Sequence, residues 1–133
     1  KRDMIDGVDY IKFIIPLVPP SMNSLYNVFF NLKRVELKPE VRLWKTRAKQ
    51  YIPVWKQNGK TQTGWLYFKA DVYTNLYFKN GKVRKLDLQN MEKALIDTIC
   101  EKLGILDEFV KEKTTRKIDN INEHIECEIG FLD

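Results

Sequence analysis

The sequence predicts a single α+β domain over residues 1–133, with a mixed or antiparallel sheet and two main helices packed on it. Three observations lead there. Apolar residues recur at helical spacing in two stretches, one after Pro39 and one after Asp87. Between and around them lie segments rich in β-branched and aromatic residues, each bounded by Pro, Gly or Asn. The resulting order, β, (β), α, β, α, β, β, fits an α+β arrangement. A chain of 133 residues that is 44% hydrophobic and 31% charged also has the size and composition of one core that folds without staples.

Asp9 to Val18, with its Ile, Phe and Val residues, reads as the first strand, and Pro19-Pro20-Ser21-Met22-Asn23 forces a loop after it. A short strand follows around Arg34 to Leu37. Pro39 fits the first turn of a helix, whose apolar face is Val41, Trp44, Ala48, Tyr51, Ile52 and Trp55. Gln57 to Gly64 is polar and reads as a loop. Trp65 to Phe78 then reads as a long strand, turned at Asn80-Gly81. From Leu88 the spacing of Leu88, Met91, Leu95, Ile99 and Leu103 predicts a second helix, ending at Gly104 as its C-cap. A strand running to about Ile118, a turn at Asp119 to Asn122, and a last strand at Ile125 to Phe131 complete the chain.

Net charge is +5, and it is unevenly distributed. Residues 1–86 carry 17 Lys and Arg against 6 Asp and Glu; residues 87–133 carry 6 against 12. A basic surface beside an acidic cluster is what a metal-dependent nuclease requires, since cations hold phosphates and carboxylates hold the metal. A scattered, solvated surface that happens to divide this way is the alternative. Cys100 and Cys127 lie in apolar-periodic segments without a CxxC partner and read as buried thiols. No run of apolar residues reaches the length of a membrane span, so no membrane partner is expected and the cytoplasm is the expected compartment.

The densest polar information is on the second helix. Asn90, Lys93, Asp97 and Glu101 share one face, opposite the apolar stripe, and Asp87 enters the same side from the preceding loop. Carboxylates, an amide and a lysine that converge can hold Mg²⁺ and neutralise a phosphodiester as charge develops on it. The ordinary reading is a solvated helix face on which Lys93 and Asp97 form an i, i+4 pair.

The run Lys85-Leu86-Asp87-Leu88-Gln89-Asn90-Met91-Glu92-Lys93-Ala94-Leu95-Ile96-Asp97 resembles the central motif of the RusA-type Holliday-junction resolvases, Asp-x-Asp-Asn-x-x-Lys-x-x-x-Asp at a helix start. Pro19-Pro20-Ser21-Met22-Asn23-Ser24-Leu25-Tyr26 resembles the family's Pro-Ser-x-Asn-x-x-Tyr segment. Leu37-Lys38-Pro39-Glu40-Val41-Arg42-Leu43-Trp44 is similar to its Leu-Thr-Pro-Glu-x-Arg-x-Trp helix start, and Gly104 to Val110 is similar to its downstream acidic stretch. The likeness runs from about Ile14 to Val110. It implies a RusA-like homodimer that binds four-way DNA junctions and cuts them with Mg²⁺ or Mn²⁺, in DNA recombination and repair. It further implies Asp87 and Asp107 as metal ligands, Lys93 as the cation near the scissile phosphate, and supporting roles for Asn90 and Asp97.

One position departs from the motif. Gln89 stands where the family has its second acid, and offers a neutral carbonyl to the metal. Three outcomes stay open: cleavage with Asp87, Asp107 and substrate oxygens, replacement of the missing acid by Glu108 or Glu92, or junction binding without cleavage. Arg42, Lys45 and Lys49 of the first helix, with Lys82, Arg84 and Lys85, are the candidate backbone-binding cations, although solvating the helix is the commoner use of such a basic face. One or two aromatics in Tyr26 to Phe30 are candidates for stacking on bases. The sole histidine, His124, has no Cys or Ser arrangement around it, and no Gly-rich phosphate loop is present, so neither a His-based nuclease nor a nucleotide cofactor is expected.

Overall fold

The computed structural model describes residues 10–20, 26–29, 34–55 and 64–132, with 26–29 and 34–35 as backbone. The strands are β1 (Tyr10–Ile15), β2 (Tyr26–Phe29), β3 (Arg34–Leu37), β4 (Leu66–Thr74), β5 (Val110–Asp119) and β6 (His124–Phe131). The helices are α1 (Pro39–Ala48) and α2 (Leu88–Leu103), with single 3₁₀ turns at Lys49–Tyr51 and Asp107–Phe109. Four strands form a mixed sheet in the order β1-β6-β4-β5, while β2 and β3 pair apart as a two-stranded ladder. The β4-β5 pair is parallel and joined through α2; β1-β6 and β6-β4 are antiparallel. The α+β expectation is met. The expected loop at 57–64 and the Pro-Ser-Met-Asn segment fall mostly outside the described residues.

Side-chain alternation decides what each strand buries. Leu66, Phe68, Ala70 and Val72 of β4 and Ile125, Cys127 and Ile129 of β6 are buried and join one core cluster with Val41, Trp44 and Ala48 of α1 and Met91, Leu95 and Ile99 of α2, and Thr74 is buried at the end of β4. Tyr67, Lys69, Asp71 and Tyr73 alternate with the buried set of β4. On that side Tyr67 donates to Glu128, Arg116 forks onto Asp71 at 2.8 and 3.0 Å, and the Tyr73 ring stacks on His124 with centroids 4.3 Å apart.

Four boundaries depart from expectation, each for a local reason: the first strand ends at Ile15 and not at Val18, since Pro16 has no N–H to give to a ladder. The first helix ends at Ala48 and not at Trp55, because Pro53 disfavours helical backbone at the residue before it, and Ile52 is extended (φ −94°, ψ 120°). Ile52 and Trp55 still reach the core, whereas Tyr51 is exposed. β4 stops at Thr74, four residues early. There the Asn75 side chain accepts from Tyr77 N–H, and the chain folds on itself through Phe78 N–H to Lys82 O at 2.8 Å and Arg84 N–H to Leu76 O at 2.8 Å. The stretch after Asp107 begins as a 3₁₀ turn before β5. The other end signals hold: Gly104 is left-handed (φ 71°), and Ile105 N–H reaches Cys100 O at 3.1 Å, as expected of a glycine-terminated helix.

Both thiols are buried in this core, and burial pushes each up to about 12. Disulfide-exchange reagents at pH 8 are therefore expected to label neither Cys100 nor Cys127 in the native protein and both in denaturant. Because the folded thiols stay protonated where unfolded ones ionise, stability is full below about pH 8.5 and falls from there towards pH 12. Fast labelling of either residue under native conditions would contradict the packing. No helix among the described residues is long and apolar enough to cross a membrane.

Candidate functional site

The site is built from the start of α2. Asp87 is the N-cap: its backbone is extended (φ −80°, ψ 95°), its carboxylate accepts the Asn90 backbone N–H at 3.0 Å, and the Asn90 amide donates to its second oxygen at 3.2 Å. Aspartate suits this place because the first helical amides lack partners and carry the positive end of the helix dipole. Beyond the cap, a cleft of about 570 Å³ opens between α2, the 3₁₀ turn and β5. Gln89, Asn90, Glu92, Lys93, Ile96 and Asp97 line it from α2, Asp107 from the turn, and Val110 and Lys113 from β5.

Three carboxylates, Glu92, Asp97 and Asp107, line it together with Lys93 and Lys113. Burial is the main cause of a raised Asp97 carboxyl, and Asp107 and Glu101 add to it, while Lys45 and Lys93 pull the other way. Glu92 is already paired: Thr115 of β5 donates to it, and Lys113 lies 3.0 Å from its other oxygen, tying α2 to the edge of the sheet. Glu101 is held by Lys45 at 2.8 Å and Lys49 at 2.9 Å. Burial raises that carboxyl, but the bonds from these two lysines outweigh it and leave Glu101 below the usual carboxylate range.

The structure therefore brings together Gln89, Asn90, Lys93, Asp97 and Asp107 and places Asp87 at the helix cap beside them. Besides Glu92, which is paired with Lys113 and Thr115, the carboxylate that shares the cleft with Asp107 is Asp97, to which the resemblance gave only a supporting role. Of the two downstream acids it is Asp107, not Glu108, that lines the cleft. Among the described residues no three His, Cys, Asp or Glu side chains group as a metal-ligand set. Two carboxylates and the Gln89 carbonyl nevertheless suit Mg²⁺, which keeps several waters and takes one or two protein carboxylates together with substrate phosphates.

The candidate DNA-binding cations divide. Lys45 of α1, its side chain 14% exposed, and Lys49 of the 3₁₀ turn after it are both tied to α2 through Glu101. Arg42 donates to Leu37 O at 2.8 Å and stays on the exposed side of α1, and Arg84 donates to Asn75 O at 2.6 Å. Lys82 and Lys85 are exposed. Tyr26 to Phe29 form β2, and their side chains, with Phe30, lie outside the described set. Lys113 and Val110 were not anticipated as cleft residues. For Lys113 the available signal was the alternation that sets it on one side of β5 with Thr115 and Lys117, but which side faces α2 depends on the pairing with β4, and the irregularity of that ladder between Leu66 and Tyr67 brings Val110 to the same side.

No protein-family model matches the chain, and no curated protein matches it.

Proposed function

We propose that this chain is a Mg²⁺-dependent, structure-selective endonuclease that resolves four-way DNA junctions as a homodimer, with Mn²⁺ able to replace Mg²⁺. The observation that carries the reading is the convergence of Lys93 with Asp97 and Asp107 in one cleft at the start of α2, on the residues that carry the RusA-type motif. Asp97 and Asp107 would hold the cation, and the Gln89 carbonyl would complete the protein donors. Bound there, Mg²⁺ supplies Lewis-acid polarisation of a phosphoryl oxygen and a more acidic water. Lys93 sets an ammonium where a scissile phosphate gains negative charge. Asp87 holds Asn90 by two hydrogen bonds and so fixes the first turn from which Gln89 and Lys93 project. Two copies would present two such clefts to the symmetry-related strands of a junction.

A second reading, a junction-binding protein that does not cut, is favoured by one feature: Gln89 stands where a further acid would raise the charge of the metal site. The deciding experiment incubates the protein with a labelled four-way junction and a matched linear duplex in Mg²⁺, Mn²⁺ or EDTA. The expected result is junction-selective scission that requires metal. Gln89→Asp is expected to lower the Mg²⁺ concentration for half-maximal cleavage by about tenfold, on the scale by which groups around a metal alter its affinity. Tight junction binding with no scission in either protein would leave the second reading.

A further inference from the structure

Between the end of β4 and the start of α2 the chain leaves the core and returns. Residues 75–85 form a hairpin: Tyr77 bridges Val83, Phe78 N–H donates to Lys82 O, and Arg84 N–H donates to Leu76 O, the last two bonds both 2.8 Å. Its loop is Lys79-Asn80-Gly81. Gly81 N–H donates to Phe78 O at 2.9 Å, Lys82 N–H donates to the Asn80 side chain at 3.0 Å, and Gly81 is left-handed (φ 85°), as a three-residue hairpin loop requires. The root is pinned, because Leu76 N–H donates to Asp119 Oδ1 at 2.9 Å and the Arg84 guanidinium to Asn75 O at 2.6 Å. The tip stands in solvent. Tyr77, Phe78 and Val83 are 47%, 54% and 68% exposed, and Lys79, Lys82 and Lys85 are exposed around them. No Asp or Glu occurs between Asp71 and Asp87, and among the described residues no carboxylate pairs with these three lysines. Single apolar side chains on a surface are ordinary. Three on one short protrusion, set among cations, cover nothing of this chain and suit an anionic partner with an apolar interior.

We propose that this hairpin engages the branch point of a DNA junction, with Phe78 wedged against a base pair at the crossover and Lys79, Lys82 and Lys85 on the phosphates beside it. The proposal rests on the nuclease reading for the choice of a branched substrate, but not for the binding itself. Apolar wedges act by unstacking a base step. At a crossover a base pair lacks a stacked neighbour on one side, so a phenyl ring enters there at less cost than within continuous duplex. Selectivity would then come from shape, with no base edge read. The position suits the cleft. Lys82 is five residues before Asp87, the cap of α2, so the two lie within about 18 Å of each other. That is about five nucleotides along one strand at roughly 3.4 Å each, which allows a single junction arm to meet both the wedge and the cleft. An anionic bilayer would also accept a basic, aromatic hairpin; the direct run of this one into the first turn of α2 favours DNA.

The test titrates the full chain, in EDTA, into a four-way junction that carries 2-aminopurine either beside the branch point or in the middle of an arm, across a salt series. Fluorescence is expected to rise at the branch point, where a base is unstacked, and not in the arm. Phe78→Ala is expected to remove the rise and weaken junction binding about tenfold while binding to a matched linear duplex is unchanged. Phe78→Trp should keep both. Because Phe78 is 54% exposed, an unchanged urea midpoint in Phe78→Ala is the control for fold. Changing Lys79, Lys82 and Lys85 to Gln is expected to reduce the slope of log affinity against log salt by about 2 to 3, since each phosphate contact on duplex DNA contributes about 0.9. No rise in the wild type, a rise that survives Phe78→Ala, or an unchanged slope in the Gln variant would overturn the proposal. So would pelleting with phosphatidylserine vesicles that Phe78→Ala abolishes while junction binding is kept. Junction cleavage in Mg²⁺ without the branch-point signal removes the wedge and leaves the nuclease; the signal in a protein that never cleaves keeps the wedge and removes the nuclease.

Discussion

Asp107→Asn is expected to reduce metal-dependent junction cleavage by a factor on the order of 100 or more, the scale on which loss of one preorganised electrostatic group acts in an active site. Asp107 is exposed on a 3₁₀ turn, so its replacement by an isosteric amide should change stability by no more than about 0.5 kcal/mol. Asp97→Asn is expected to show the same loss with no fall in the unfolding midpoint, because burial already disfavours that carboxylate's charged form. Asp87→Asn provides the contrast. Asparagine caps a helix about as well as aspartate, so this substitution removes charge while leaving an acceptor for the Asn90 amide. If Asp87 serves the site only as a cap, Asp87→Asn keeps most of the activity; if it is a ligand, as the family motif implies, its loss equals that of Asp107→Asn. Single-turnover cleavage at saturating Mg²⁺, beside a urea melt of each variant, separates these cases. Full activity in Asp107→Asn would remove this cleft from the mechanism.

What was legible in the sequence was what is encoded locally. The second helix could be read from its apolar spacing because Asp87 and Gly104 sit at the two ends where a cap and a left-handed residue are needed, and the structure uses both. The shared face of Asn90, Lys93 and Asp97 follows from the same period, and all three line the cleft. The end of the first helix was also written locally, in Pro53, but the helical spacing of Ile52 and Trp55 masks it: both are core residues reached from extended chain. The ties between Lys45, Lys49 and Glu101 are of another kind. They join residues more than 50 positions apart and depend on how α1 lies beside α2, so an exposed basic face and a held interhelical bridge look the same in one dimension. Lys113 enters the cleft for a similar reason. Alternation says that Lys113, Thr115 and Lys117 agree with one another, but only the parallel pairing of β5 with β4 turns them towards α2.

That pairing makes β4 the strand on which the site depends, and Phe68→Ala is expected to be the most damaging single substitution of its exposed-to-buried series. Phe68 is 1% exposed on the helix-facing side of β4, and β4 lies between β6 and β5. Removing its ring leaves a cavity in the core that includes Leu95 and Ile99 of α2, with an expected loss of about 3–5 kcal/mol. Domains of this size are held by about 5–15 kcal/mol, so a substantial part of the total is at stake. Its neighbour Lys69 is exposed on the opposite face, and Lys69→Ala should stay within about 0.5 kcal/mol. Urea unfolding measures both, and an unchanged dependence on denaturant in Phe68→Ala would show that the loss is of stability and not of cooperativity. A loss below about 1 kcal/mol would mean that this side chain is not packed against the helices. Because the cleft is bounded by α2 on one side and by Val110 and Lys113 of β5 on the other, and β5 is aligned by its ladder to β4, the same cavity should loosen the cleft before it unfolds the chain. Cleavage in Phe68→Ala is therefore expected to fall at temperatures where the circular dichroism is still native.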